Sequence, residues 1–91
     1  ELKAFVYHYV REINPSQIRN LYASAKAIHD QSELQLLRPK LAYVAARQTS
    51  KKKQAETFIQ MMDDLISKGI KIGDFISLFE AIVAYHKYYS S

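Results

Sequence analysis

The chain has 91 residues, 48% of them hydrophobic, with two glycines, two prolines and no cysteine. That composition argues for one packed helical domain and excludes a disordered tail, a disulfide scaffold and a thiolate zinc site. A net charge of +4 favours an anionic partner, and a chain this short buries only about 60–65% of its unfolded surface, so oligomerisation would help it.

Apolar residues recur at helical spacing almost from end to end. Leu2, Phe5, Val6, Tyr9, Val10 and Ile13 form the first stripe. Asn14-Pro15-Ser16-Gln17 then predicts a break and restart, with Asn14 as N-cap, Pro15 at the first helical position and Gln17 closing a capping-box-like turn. Ile18, Leu21, Tyr22, Ala25 and Ile28 mark the buried face of a second helix, followed by a loop at His29-Asp30-Gln31. Ser32 with Gln35 reads as the next N-cap, leading into Leu34, Leu37, Leu41, Val44, Ala45 and Gln48. Pro39 lies inside this stripe, so the third helix is expected to kink near Arg38 or to start afresh at Pro39.

Thr49-Ser50-Lys51-Lys52-Lys53 reads as a helix end or a basic loop. A fourth helix follows on Ala55, Phe58, Ile59, Met62, Leu65 and Ile66, capped at its C-terminus by Gly69. Asp74 reads as the N-cap of a last helix that buries Phe75, Leu78, Phe79, Ile82, Val83, His86 and Tyr89. The expectation is therefore an all-α, compact bundle of about five helices. Residues 1–91 form a single domain, and 1–13 are loosely attached or exchanged between subunits. No apolar run approaches the roughly 20 residues that span a bilayer, and no basic segment leading into an apolar stretch marks secretion. The absence of cysteine fits a reducing cytoplasm.

At about 100° per residue, Lys40, Arg47 and Lys51 fall within roughly 40° of one another, beside the seam of Leu37, Leu41 and Val44. Arg19 and Lys26 repeat the seven-residue spacing on the second helix. With Lys52 and Lys53, the two stripes are expected to line one groove that follows a sugar-phosphate backbone. The alternative is that these are the solvated faces of amphipathic helices. Among the seven tyrosines, Tyr9, Tyr22, Tyr43 and Tyr89 sit at core spacing, and most tyrosines are assigned to packing or subunit contacts.

His8, His29 and His86 make no H-x-x-x-H pair, and each reads as a helix edge or a buried, partner-bonded ring. The adjacent carboxylates Asp63 and Asp64 point about 100° apart on a helix and do not share a metal or a proton. With no Gly-rich phosphate loop and no nucleophile elbow, no catalytic residue, metal or cofactor is expected.

Two longer motifs carry a resemblance. Leu36-Leu37-Arg38-Pro39-Lys40-Leu41-Ala42-Tyr43-Val44-Ala45-Ala46-Arg47-Gln48 and Glu80-Ala81-Ile82-Val83-Ala84-Tyr85-His86-Lys87-Tyr88-Tyr89 resemble the small helical subunit of type III-A CRISPR effector complexes, the Csm small-subunit family. Ser16-Gln17-Ile18-Arg19 is similar to that family's recurrent Thr/Ser-Gln-Ile-Arg helix opening, so the resemblance runs from about Asn14 to Ser91. It implies a non-enzymatic subunit of an antiviral ribonucleoprotein, stacked in several copies beside the backbone subunits and holding the guide RNA and the target RNA paired with it. The basic positions inside the motifs are Arg19, Arg38, Lys40, Arg47 and Lys87; Lys26, Lys51, Lys52 and Lys53 join them by geometry alone. Arg38 has a competing role, as a partner of Glu80 or Asp74 or as a cap on carbonyls beside Pro39.

Three rivals stand beside this reading. A helix-turn-helix DNA-binding module would use the second and third helices, although Pro39 argues against it. A structural adaptor would turn the basic faces to acidic proteins. A type III-B small subunit is a close variant, and a homodimer or homo-oligomer is compatible with each.

Overall fold

The structure, a computed structural model, describes residues 1–48 and 51–90. Among them the secondary structure is helical throughout: α1 (Leu2–Tyr9), α2 (Pro15–Lys26), a 3-10 helix (Gln31–Leu36), α3 (Leu37–Ala46), α4 (Lys52–Ser67) and α5 (Ile72–Ser90). The expected five-helix, all-α bundle is what forms. Its main packing contacts close into a ring, with α1 against α5, α5 against α2, α2 against α3, α3 against α4 and α4 back against α1.

The apolar stripes meet inside that ring. Phe58, Phe75 and Phe79 are fully buried, and the Phe79 ring lies 6.5 Å from Phe58, 6.0 Å from Phe75 and 5.5 Å from the half-buried Tyr22. Each such phenylalanine contributes roughly 1.5–3 kcal/mol through its removal from water. Helix α1 docks through Val6, with Val10 and Ile13 buried just after it. His86, 3% exposed, faces the α1–α2 junction, where its Nε2 donates to the carbonyl of Ile13 at 2.9 Å. It is the buried, partner-bonded ring anticipated for it.

Helix ends are where the pattern and the structure part. Asn14 caps α2 as expected, its Oδ1 accepting from the N–H of Ser16 at 2.8 Å and of Gln17 at 3.3 Å, while Pro15 occupies a position that needs no donor. The Gln17 side chain does not complete a capping box. It accepts from Gln48 Nε2, whose amide also donates to the Val44 carbonyl at 2.8 Å, and so joins α2 to the end of α3.

Asp30, not Ser32, caps the 3-10 helix. Asp30 and Glu33 form a reciprocal capping box, with Glu33 Oε1 accepting from the backbone of Asp30 at 3.1 Å and of His29 at 3.2 Å. Pro39 does not start α3. The helix begins two residues earlier at Leu37, and Pro39 lies in the first turn, where a missing N–H costs nothing.

Gly69 ends α4 as expected. At φ 87° it takes the left-handed conformation, and the N–H groups of Gly69 and Ile70 bond back to Ile66 and Leu65 at 3.1 Å each. Asp74, by contrast, is inside the first turn of α5, which starts at Ile72. Gln31 holds that start from a distance, its Oε1 accepting from the Ile72 N–H at 3.0 Å and its Nε2 donating to the Ile70 carbonyl at 2.6 Å.

Candidate nucleic-acid interface

Burial of Leu37, Leu41 and Val44 fixes the rotation of α3 about its axis, and that rotation turns Lys40 and Arg47 outward together. Arg47 is the residue that closes the helix and is still in right-handed helical conformation. Tyr43 stands between the two cations, 59% exposed. Arg47 Nη1 donates to the Tyr43 hydroxyl at 2.6 Å, and the guanidinium carbon is 5.5 Å from the ring centroid. Lys40 Nζ reaches across to Ser24 Oγ on α2 at 3.4 Å. Among the described residues the ion pairs are Arg11–Glu12 and Arg38–Asp63, and neither includes Lys40 or Arg47.

Beside this face a groove of ≈ 350 Å³ separates α2 from α3. Gln17, Asn20 and Ser24 form one wall, Pro39, Lys40 and Tyr43 the other, with Leu21 and Val44 between.

The second basic stripe does not share this groove. On α2 the groove-facing residues Gln17, Asn20, Leu21 and Ser24 sit at helical spacing, and Arg19 and Lys26 lie about 150° and about 170° around the helix from their centre. Lys26 Nζ is instead 5.4 Å from the centroid of Tyr22, which is turned toward Glu80 on α5. Partial burial, and then the Glu80 carboxylate, raise the Tyr22 phenol above its ordinary value.

Lys51 leaves the α3 stripe as well. Its backbone is left-handed, φ 54°, and it precedes α4. Lys52 and Lys53 form the start of α4, exposed, in a first turn that has no acidic residue. Thr49 and Ser50 lie outside the described residues. Lys87 lies in the last turn of α5, where a cation complements the helix dipole; the main neighbours of that helix are α1 and α2, so Lys87 is not brought to the α3 face.

Arg38 has a different use. Its Nε and Nη2 donate to Asp63 Oδ1 and Oδ2 at 2.7 and 3.1 Å, and Nη1 donates to Gln35 Oε1 at 3.3 Å. Asp63, rather than Glu80 or Asp74, is its partner. The hydrogen bond to Asp63, and then that carboxylate's charge, raise the Arg38 pKa further. Arg38 is thus a strut between α3 and α4.

Two of the four tyrosines placed at core spacing are exposed: Tyr43, and Tyr9 on α1. The wheel that joins Lys40 to Arg47 puts Tyr43 within about 60° of both and at least about 100° from Leu41 and Val44, so its exposure was there to be read. The α2 wall, Gln17, Asn20 and Ser24, was overlooked because polar residues beside a buried seam carry no charge signal. A helix-turn-helix needs a tight turn of three or four residues, whereas residues 27–36, including a whole 3-10 helix, separate α2 from α3. Among the described residues no three of His, Cys, Asp and Glu are grouped to hold a metal, and no helix is long and apolar enough to cross a membrane.

A closed ring of helices with two exposed cations side by side on α3 defines a small all-α module. Residues 4–91 match the family model described as Csm2 Type III-A, and the chain belongs to that family, the small subunits of type III-A CRISPR complexes. The match includes most of α1, ahead of the motifs that carried the resemblance. Comparison with curated proteins and with solved structures gave no match.

Proposed function

We propose that this subunit stacks in several copies beside the backbone subunits of its ribonucleoprotein and steadies the guide RNA and its paired target through the α3 face. It reads no sequence and catalyses no step; its part in antiviral defence is to position RNA. The observation that carries this reading is the outward pair Lys40 and Arg47, neither joined to a carboxylate among the described ion pairs. Phosphate contacts of this kind bind any sequence, and base pairing to the guide supplies the specificity.

The start of α4 supports it. Lys52 and Lys53 occupy the positive end of a helix dipole, an arrangement that costs roughly 0.3–1 kcal/mol per charge and that a nearby polyanion relieves. With about four phosphates neutralised on a single strand, affinity falls roughly 50-fold between 50 and 200 mM salt. Repetition along the complex then raises weak single contacts to useful strength.

Leu36, the last residue of the 3-10 helix, is 67% exposed and lines a shallow pocket together with Lys40, which favours a second reading in which this face meets a protein partner, an acidic one given its cations. Anisotropy of labelled RNA with the wild type and the Lys40→Ala, Arg47→Ala double variant separates them. Salt-sensitive binding that the variant loses supports the RNA role, and absence of binding at 50 mM salt moves the face to protein contacts. A homodimer made by exchange of residues 1–13 about Asn14-Pro15 belongs to the same proposal, and light scattering that gives a monomer at every concentration rejects it.

A further inference from the structure

Tyr43 is placed to take an unpaired base. We infer that the groove between α2 and α3 holds one unstacked ribonucleotide, its base lying on the Tyr43 ring and its flanking phosphates on Lys40 and Arg47; this rests on the RNA reading above.

The exposed tyrosines differ in what their rings already touch. The Arg11 guanidinium sits 4.1 Å from the centroid of Tyr7, over its face, and Lys3 Nζ is 5.2 Å from that of Tyr88. Arg47 likewise lies over Tyr43, its guanidinium carbon 5.5 Å from the centroid, while bonding the hydroxyl; what sets this 59% exposed residue apart is that Tyr7 and Tyr88 each pack on Tyr89 at 5.1 Å, whereas Tyr43 meets no other ring among the described residues. The hydroxyl bond fixes a ring that no aromatic neighbour covers. Tyr43 also lines the groove of ≈ 350 Å³ together with Gln17 and Asn20, room for a nucleobase.

Cations flank the ring on its own helix, one on either side in sequence. An aromatic platform between two phosphate-binding side chains is the arrangement that single strands use, because every base has a π-face. Bases within a duplex are covered by their neighbours and offer none, so Tyr43 discriminates between paired and unpaired RNA where Lys40 and Arg47 do not.

The test titrates three probes: a ten-nucleotide single-stranded RNA, the same length of abasic backbone, and a perfect RNA duplex. Tyr43→Leu is expected to weaken single-strand binding about fivefold or more, the lower end of what one stacked base supplies, and to leave the abasic strand and the duplex unchanged. Tyr43→Phe keeps the platform and is expected to keep the preference for bases. Circular dichroism melts confirm that these surface variants fold. Equal losses on all three probes, or a Phe variant as weak as Leu, overturn the inference, since Tyr43 would then only steady Arg47. No effect of Tyr43→Leu overturns it too, while the RNA reading stands if the Lys40→Ala, Arg47→Ala variant still loses binding. If that double variant binds all three probes like the wild type, the RNA reading itself falls.

Discussion

Arg38 and Asp63 meet across α3 and α4 in two parallel hydrogen bonds, Nε to Oδ1 at 2.7 Å and Nη2 to Oδ2 at 3.1 Å. The fork matches a planar guanidinium, and an ammonium cannot reproduce it. Arg38→Ala is therefore expected to lower the melting temperature, Arg38→Lys to recover only part of the loss, and Arg38→Ala with Asp63→Ala to cost less than the two single changes added. None should change RNA affinity as Lys40→Ala does. Thermal melts around this double-mutant cycle, beside anisotropy, check both halves; a large loss of RNA binding in folded Arg38→Lys would return Arg38 to the binding face.

Loss of the His86 ring should be felt at the other end of the chain. Replacement by Leu leaves the Ile13 carbonyl without its partner in a buried place, at a cost of about 1–3 kcal/mol. For a domain of this size that corresponds to a fall of roughly 4–8 °C in Tm for each kcal/mol. Amide exchange should accelerate most in residues 2–13, because the bond links α5 to the junction behind α1. Uniform acceleration along the chain would contradict this.

Alkaline pH should destabilise the fold in part through Tyr22. Its folded pKa lies above the ordinary phenol value of 10.0, so the unfolded chain gives up that proton first. The associated stability is complete below pH 10 and is lost as pH rises through the folded value. Tyr22→Phe removes this component, and urea titrations between pH 9 and 11 should then show a shallower decline than the wild type. An unchanged slope would show that Tyr22 has no part in it.

Stability and binding should move in opposite directions at the start of α4. Lys52→Glu or Lys53→Glu replaces a charge that opposes the helix dipole with one that complements it, a gain of roughly 0.3–1 kcal/mol per site. The same change is expected to reduce RNA affinity and flatten its salt dependence. Denaturant midpoints and anisotropy on one preparation test the pair of effects, and a variant that gains stability with RNA binding intact would remove Lys52 and Lys53 from the interface.

Elements whose evidence is local were legible in the sequence. The stripe Leu34, Leu37, Leu41, Val44 and Gln48 is buried as its spacing requires, and Asn14 and Gly69 end or begin helices through bonds to residues within four positions. Features whose partner is distant were not. Gln31 caps a helix 41 residues further on and Gln17 turns to Gln48 at 31, each overruling a nearer candidate, while Arg38 finds Asp63 at a separation of 25 in place of the more distant Asp74 and Glu80. The site divides in the same way. The pairing of Lys40 with Arg47 follows from one helix, whereas the separation of Arg19 and Lys26 from them depends on how α2 lies against α3 and α5.

Closure of the helical ring through α1 sets a schedule for synthesis. Helix α1 is made before α4 and α5, on which it rests, so Val6 and its neighbours stay uncovered while the intervening chain is translated. The domain reaches its native state only after α5 has left the ribosome, and until then α1 is the part most open to a chaperone or to a neighbouring nascent copy.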